Sequence, residues 1–293
     1  MSDWQRLSLN TATAKYNSLA ECVAAAKAHG LGAVGPWRDR VQEVGAETAA
    51  RMIRDAGLRV STLCRGGFLT GRDREQVAQA LADNRLAIDE AATLGASQVV
   101  MVVGGLPASY AAMGLPAHHA DTADKDLGAA RQRVADRIGD LAPYARERGI
   151  RLALEPMHPL FTADRGVLTT LGQSLDLAAE HPADTVGVVI DTYHVWWDPD
   201  LESSIARAGR EGRICSYQIC DWVLPLQPNS LNSRGYPGDG YIDFPTITGW
   251  VAAAGYTGDV EVEIFNETIW AHGAPGIVQT IGERYADLVL PHL

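Results

Sequence analysis

Val188-Val-Ile-Asp191 is a run of three apolar residues that stops on a carboxylate. Branched apolar residues in so short a run read as a strand buried on both faces, and Asp191 falls where that strand ends. Three further runs in the second half of the chain have the same form: Leu152-Ala-Leu-Glu155-Pro156, Ile214-Cys-Ser-Tyr-Gln218 and Val260-Glu-Val-Glu263-Ile-Phe265. In a parallel barrel the ends of four neighbouring strands meet at one point. Carboxylates gathered at one point repel each other unless protons or a cation intervene. The pattern therefore predicts a divalent-metal site made of Glu155, Asp191, Gln218 and Glu263, and with it an enzyme.

Outward from these runs, the chain alternates short apolar stretches with longer amphipathic ones. The first half offers strands at Leu7–Thr11, Ala33–Gly35, Arg59–Cys64 and Gln98–Val103. Helical patterns lie between them at Ser18–Ala28, Val44–Ala56 and Asp73–Leu94, and a long one follows a loop at Asp124–Arg148. Gly30, Gly57, Gly95 and Gly149 stand where left-handed caps would close these helices. The second half repeats the scheme, with helices at Leu171–Glu180, Leu201–Ala208, Pro245–Ala254 and Pro275–Leu290. Strands alternating with helices imply a parallel sheet, and eight such units imply an α/β fold, a (β/α)8 TIM barrel spanning residues 1–293 as one domain. Active sites of such barrels lie at the C-terminal ends of the strands, where the four polar residues stand. The two-residue period adds that Ala153, Val189, Ser216 and Glu261 share their inward face. Glu261 is the one charged residue in that layer.

The bulk numbers bound the function. The 293 residues are 46% hydrophobic and 21% charged, with a formal net charge of −11. Acidity of this size argues against nucleic acid as a partner, because phosphate binding needs a basic stripe. The cysteines at 22, 64, 215 and 220 form no CxxC pair and are expected as free thiols of a reducing compartment. No apolar run reaches membrane-spanning length, and the first residues lack a signal-peptide pattern, so a cytoplasmic location without membrane contact is expected.

Other residues at strand ends complete the expected site. An oxygen-only ligand set favours Mn²⁺ or Mg²⁺, with Co²⁺ and Zn²⁺ as alternatives. His158 and His194 each lie three residues beyond a predicted ligand and suit acid–base or substrate-binding work. Trp197 offers a face for a sugar, Asp221 follows Gln218, and Arg234 sits in a Gly-, Asn- and Pro-rich loop expected to act as a lid. Asn10 and Arg65 close earlier strands. Gly104-Gly105 opens no phosphate-binding pattern, so a nucleotide is not expected.

Leu154-Glu155-Pro156, Ile190-Asp191-Thr-Tyr-His194, Gln218-Ile-Cys-Asp221, Gly238-Asp-Gly240 and Val262-Glu263 together resemble the xylose isomerase-like TIM-barrel superfamily of sugar isomerases and epimerases. The resemblance covers essentially the whole chain. It implies a Glu, Asp, His, Glu metal set from strands five to eight, onto which Glu155, Asp191 and Glu263 map. Gln218 stands where many members have histidine. It also implies that Glu155 and Glu263 pass a proton on and off carbon while a metal stabilises the enediolate. The Glu155-Pro-Met-His158 segment looks like that of C-glycoside deglycosidase catalytic subunits, which makes His158 a catalytic candidate and a lyase acting on 3-oxo-glycosides the alternative. The endonuclease branch, with its His-rich zinc sites, does not fit. The expected partner is a small sugar or oxidised sugar derivative; a second copy of the chain or a small partner subunit stays open. A non-catalytic sugar-binding barrel is the reading from another class.

Overall fold

The computed structural model describes residues 4–110 and 124–293. The loop expected ahead of the long central helix lies largely outside them. Among the described residues eleven strands form in chain order: β1 (Leu7–Asn10), β2 (Ala33–Gly35), β3 (Arg59–Val60), β4 (Leu63–Gly67), β5 (Gln98–Val102), β6 (Arg151–Leu154), β7 (Val186–Asp191), β8 (Ile214–Ile219), β9 (Asp221–Trp222), β10 (Arg234–Gly235) and β11 (Val260–Val262). Nine of them make one sheet in the order β3-β2-β1-β11-β8-β7-β6-β5-β4, and every pair in it is parallel.

The two outermost strands, β3 and β4, are halves of the predicted third strand, divided at Ser61 and Thr62. Backbone bonds from Ser61 to Val34 (3.0 Å) and from Cys64 to Pro36 (3.1 Å) draw both halves onto the β2 side. A single Trp37–Cys64 bridge continues the pairing. The sheet is thus nearly closed into a barrel, with nine strands in eight positions and helices around it.

Local chemistry sets the helix limits. Ser18 and Glu21 form a reciprocal capping box at the start of Leu19–His29, and Gly30 ends that helix at φ 78°. Asp73, Asp126, Thr170 and Asp243 cap the helices Arg74–Leu94, Leu127–Glu147, Leu171–Ala178 and Phe244–Ala253. The helix expected at Val44–Ala56 forms as Ala46–Asp55, and an additional short helix, Arg38–Val44, precedes it; Gly45, at φ 84° and ψ 141°, separates the two. That backbone conformation is open to glycine and strained for other residues. The long loop after β8 also differs from expectation, since β9 and β10 pair antiparallel within it.

The barrel interior is divided. Cys64, Val100, Ala153, Val189 and Cys215, one from each of β4 to β8, form an apolar cluster. The facing side is polar and equally buried: Ser8, Asn10, Ser61, Thr62, Gln218 and Glu261. Ala153 and Val189 stand inward as expected. A register shift between Val188 and Val189 places Cys215 in the apolar cluster beside them. All four cysteines are free and buried. No helix among the described residues is long and apolar enough to cross a membrane.

Candidate active site

The strand ends place the acidic residues together. Glu155 follows β6 directly, Asp191 ends β7 and Glu263 follows β11. Ligand atoms of Glu155, Asp191 and His194 lie within 4.8 Å of one another. His194 arrives there because Asp191 caps the one-turn helix Thr192–Val195 through the Tyr193 N–H (2.9 Å), which folds the chain back over the strand end. Glu263 Oε1 accepts from Asn10 Nδ2 and from Trp37 Nε1, both at 3.1 Å.

Arg234 joins the two halves of the cluster. Its Nη1 donates to Asp191 Oδ2 (3.0 Å), to Glu263 Oε2 (3.1 Å) and to the Glu263 carbonyl (3.1 Å). Its guanidinium lies over the rings of Tyr193 and Phe265 at 4.7 and 5.0 Å. Only 1% exposed, Arg234 is a fixed part of the barrel mouth and not the tip of a lid. The β9–β10 ribbon carries it there. Asp221, expected against substrate, has another task. Its carboxylate accepts from the backbone N–H groups of Trp222, Gly238, Gly240 and Ile242 at 2.8–3.0 Å and so folds the loop that holds Arg234.

Burial and mutual repulsion perturb these groups strongly. Glu155 is held well above the ordinary carboxyl range by burial and by its neighbours Glu263 and Asp191. A hydrogen bond between Glu155 and Asp191 favours the proton on Glu155. Burial pushes Glu263 up to about 7, with Arg234 opposing the rise. Burial also works against the Arg234 charge, but Asp191, Cys220 and Glu263 outweigh it and keep the guanidinium charged. Perturbation of this kind, shared by several groups in one cleft, marks functional sites.

His194 meets an N–H donor at each ring nitrogen: the His158 backbone at Nδ1 (3.1 Å) and Arg234 Nη2 at Nε2 (2.9 Å). A neutral imidazole accepts at one nitrogen only. The tautomer therefore decides which of the two contacts is a hydrogen bond, and Nε2 also faces Glu155 and Asp191 at 3.7 and 3.8 Å.

Gln218 lies one residue before the end of β8, level with Asp191 in the pairing of β7 with β8. Its Nε2 donates to Glu261 Oε1 at 2.9 Å, whereas its Oε1 is buried and has no partner among the described residues. Asn10 Nδ2 bonds both Glu261 and Glu263. The donor set suits a hard divalent cation. Glu155, Asp191 and Glu263 bring three carboxyl groups against the one charge of Arg234, and the orphaned Gln218 oxygen is a neutral donor of the right kind.

A cavity of about 220 Å³ opens above the cluster, with Glu155, His194, Arg234 and Glu263 in its lining. Trp37, Phe68, Met157 and Phe265 form its apolar walls. Arg65 faces it between two aromatic rings, lying 4.2 Å from that of Phe68 and 5.7 Å from that of Trp37. Burial lowers the Arg65 guanidinium to about 10. His158 and Trp197 do not line the cavity. The His158 ring packs on Trp222 (4.6 Å) and Trp197 (5.7 Å), and Trp197 Nε1 donates to the His194 carbonyl. A larger hollow of about 570 Å³, lined by Arg59, Ser97, Gln98 and Ser216, lies at the opposite end of the strands, away from the carboxylates.

The alternation of the strands failed to point to Arg165 and Leu231, which line the cavity from a turn and from the short 3-10 helix Ser230–Asn232. Phe265 was within reach of it, two residues beyond Glu263 on the same face.

Comparison with known proteins agrees with this architecture. A curated ketose 3-epimerase of Arthrobacter globiformis is 29% identical over 230 residues, 77% of this chain and 70% of that protein. Matches to inosose isomerases are shorter, so that the chain spans about half the length of these curated relatives. A crystal structure of a Sinorhizobium meliloti 1021 protein superposes with a TM-score of 0.88 at 42% identity, covering 97% of this chain and 98% of that one. The IOLI protein, solved with a bound zinc atom, superposes with a TM-score of 0.81 at 20% identity, covering 98% and 99%. A profile of the xylose isomerase-like TIM barrel family matches residues 23–283, and the chain belongs to that family.

Proposed function

We propose that this protein is a divalent-metal-dependent sugar isomerase or epimerase that moves a proton on the carbon next to a carbonyl. The observation that carries the reading is a small cavity at the C-terminal strand ends lined by Glu155, His194 and Glu263, with Asp191 buried against Glu155 and His194 just beneath it. The neighbouring ketose 3-epimerase and inosose isomerases support the substrate class: a small polyhydroxylated ketone. A cavity of about 220 Å³ suits a molecule of roughly that size.

Glu155, Asp191, Gln218 and Glu263 would hold the cation, with Mn²⁺ as the expected ion; the zinc atom bound by the IOLI protein supports a divalent metal in this fold. When bound, it supplies Lewis-acid polarisation of the substrate carbonyl. The protein's own residues do the proton work. β6 and β11 stand three places apart in the sheet, so Glu155 and Glu263 approach a substrate from different sides. One removes the proton and the other returns it, and their raised affinities for protons match them to that exchange near neutral pH. His194 orients a substrate oxygen at the cavity floor, and Arg65 meets the far end. Trp37, Phe68 and Phe265 exclude water.

The test is exchange of substrate carbon-bound hydrogen for deuterium in D₂O, followed by NMR with ketoses, inososes and 3-oxo-glycosides. Glu155→Gln and Glu263→Gln should each lower exchange by about 10³-fold while leaving circular dichroism unchanged. Near-normal exchange by either variant removes the acid–base assignment. The same assay reads the lyase alternative, in which His158 would have to reach the substrate from outside the cavity lining. Release of an aglycone or of an eliminated product, in place of an epimer, would move the protein to that class. Absence of both exchange and product would favour a sugar-binding barrel.

A further inference from the structure

We propose that Glu261 is a positioning residue that fixes the side-chain amide of Gln218 with its oxygen turned to the cation site. The proposal rests on the metal-dependent reading above.

Gln218 and Glu261 are partners in the pairing of β8 with β11, and Gln218 and Asp191 are partners in the pairing of β7 with β8. All three side chains therefore enter the barrel at one level. The two ends of an amide are nearly the same shape, so hydrogen bonding alone decides which way it faces. Here the NH₂ end meets Glu261 Oε1 at 2.9 Å, and the oxygen is left on the far side of the amide, buried and unpartnered among the described residues.

Burial raises the affinity of Glu261 for a proton, and hydrogen bonds from Ser61, Asn10, Thr62 and Gln218 oppose that rise. Oε1 receives Asn10 Nδ2 (2.7 Å), Gln218 Nε2 (2.9 Å) and Thr62 Oγ1 (3.0 Å). Oε2 receives Thr62 Oγ1 (2.9 Å) and the Ser61 hydroxyl, and Ser61 is itself bonded to Ser8. The residues touching it supply donors, so nothing invites the Gln218 oxygen to that side. Asn10 is held in turn, since its Oδ1 accepts from Ala12 N–H at 2.9 Å, which leaves its NH₂ for Glu261 and Glu263. One buried carboxylate thus orients Gln218 directly and Glu263 through Asn10. Room for it comes from Gly35 on β2, where a Cβ would lie 2.4 Å from Glu261 Oε2.

An imidazole at position 218 would present a lone pair fixed by its ring. An amide has no such built-in direction, and the carboxylate at 261 supplies it.

Mn²⁺ binding by isothermal titration calorimetry, on chelator-treated full-length protein, tests the proposal. Glu261→Gln offers Gln218 both a donor and an acceptor, so the amide is free to face either way. Its affinity should fall by about 10- to 100-fold, the range typical of outer-sphere partners of metal ligands. The double variant Gln218→Glu/Glu261→Gln exchanges the two groups, keeping charge and volume. A carboxylate at 218 has no wrong end, so affinity should return to within a few-fold of the original. Glu261→Gln binding Mn²⁺ as the unaltered protein does would overturn the proposal while leaving the metal reading intact. A folded double variant that stays more than tenfold weak would overturn it equally, and this arm decides the matter should the single variant not fold. An unaltered protein that binds neither Mn²⁺ nor Co²⁺ nor Zn²⁺ would sink the metal reading and this proposal together.

Discussion

Arg234 shows how much one buried charge carries. It faces Asp191 and Glu263 at 3.0 and 3.1 Å, deep enough that water cannot replace it. Replacement by methionine keeps the volume and removes the charge, leaving Asp191, Glu263 and Glu155 to confront each other. Arg234→Met should lose about 3–5 kcal/mol of stability at pH 8, the usual result of stripping one partner from a buried pair. The sign with pH is fixed. Carboxyls whose folded-state affinity for protons is raised oppose folding when ionised, so the deficit should shrink as pH falls from 8 towards 5. Urea unfolding at the two pH values measures both effects, and equal stability of variant and original at pH 8 would contradict the buried-pair account. The strand-end rule found Glu155, Asp191 and Glu263 from the sequence, because a two-residue period fixes direction as well as position. It marked Glu261 as inward-facing too, but not its use, which depends on Ser61, Thr62 and Asn10 arriving from other strands. Arg234 was legible only as a residue within reach. Its burial follows from how its loop folds, and no periodicity encodes that.

The loop between β8 and the helix Phe244–Ala253 is the element on which that burial depends. Read as sequence, its glycines, prolines and asparagines suggest a mobile cover. In the fold it is a short ribbon pinned by Asp221, whose carboxylate gathers four backbone donors. Asp221→Ala should destabilise by about 2–3 kcal/mol, since several of those donors lose a charged acceptor. It should also open the segment around Gly238 to limited proteolysis. Resistance equal to that of the original would show that the ribbon holds without Asp221. The helices were more legible, because Ser18, Asp73 and Asp126 are capping residues and Gly30 and Gly95 are stops that act locally. The short helix Arg38–Val44 ahead of Gly45 was not read from the sequence.

Across the whole molecule, the eight-unit alternation specified the barrel, while the division of its third strand at Ser61 and Thr62 did not show in the apolar pattern. Stability as a whole should carry the mark of His158. Burial depresses its imidazole to about 4. An unfolded chain takes up this proton near pH 6.5, the folded one only near 4. The contribution is therefore complete above about pH 6.5 and is lost as pH falls towards 4. Because the ring is only half-buried, its share is on the order of 1–2 kcal/mol. Melting temperatures from pH 7 to 4 should fall less steeply for His158→Gln than for the original, and parallel curves would refute this.

The two sides of the barrel interior tolerate change unequally. Val100, Ala153, Val189 and Cys215 touch through shape, so one apolar residue can replace another with local repacking, while Cys64 beside them also reaches the polar side through Asn10 and Glu263. Ser8, Asn10, Ser61, Thr62, Gln218 and Glu261 are bound into one chain of donors and acceptors, where altering a member strands its partner. Sequence drift in descendants of this chain should therefore run freely along one wall of the barrel and stall along the other, which makes the quiet wall a record of the chemistry above it.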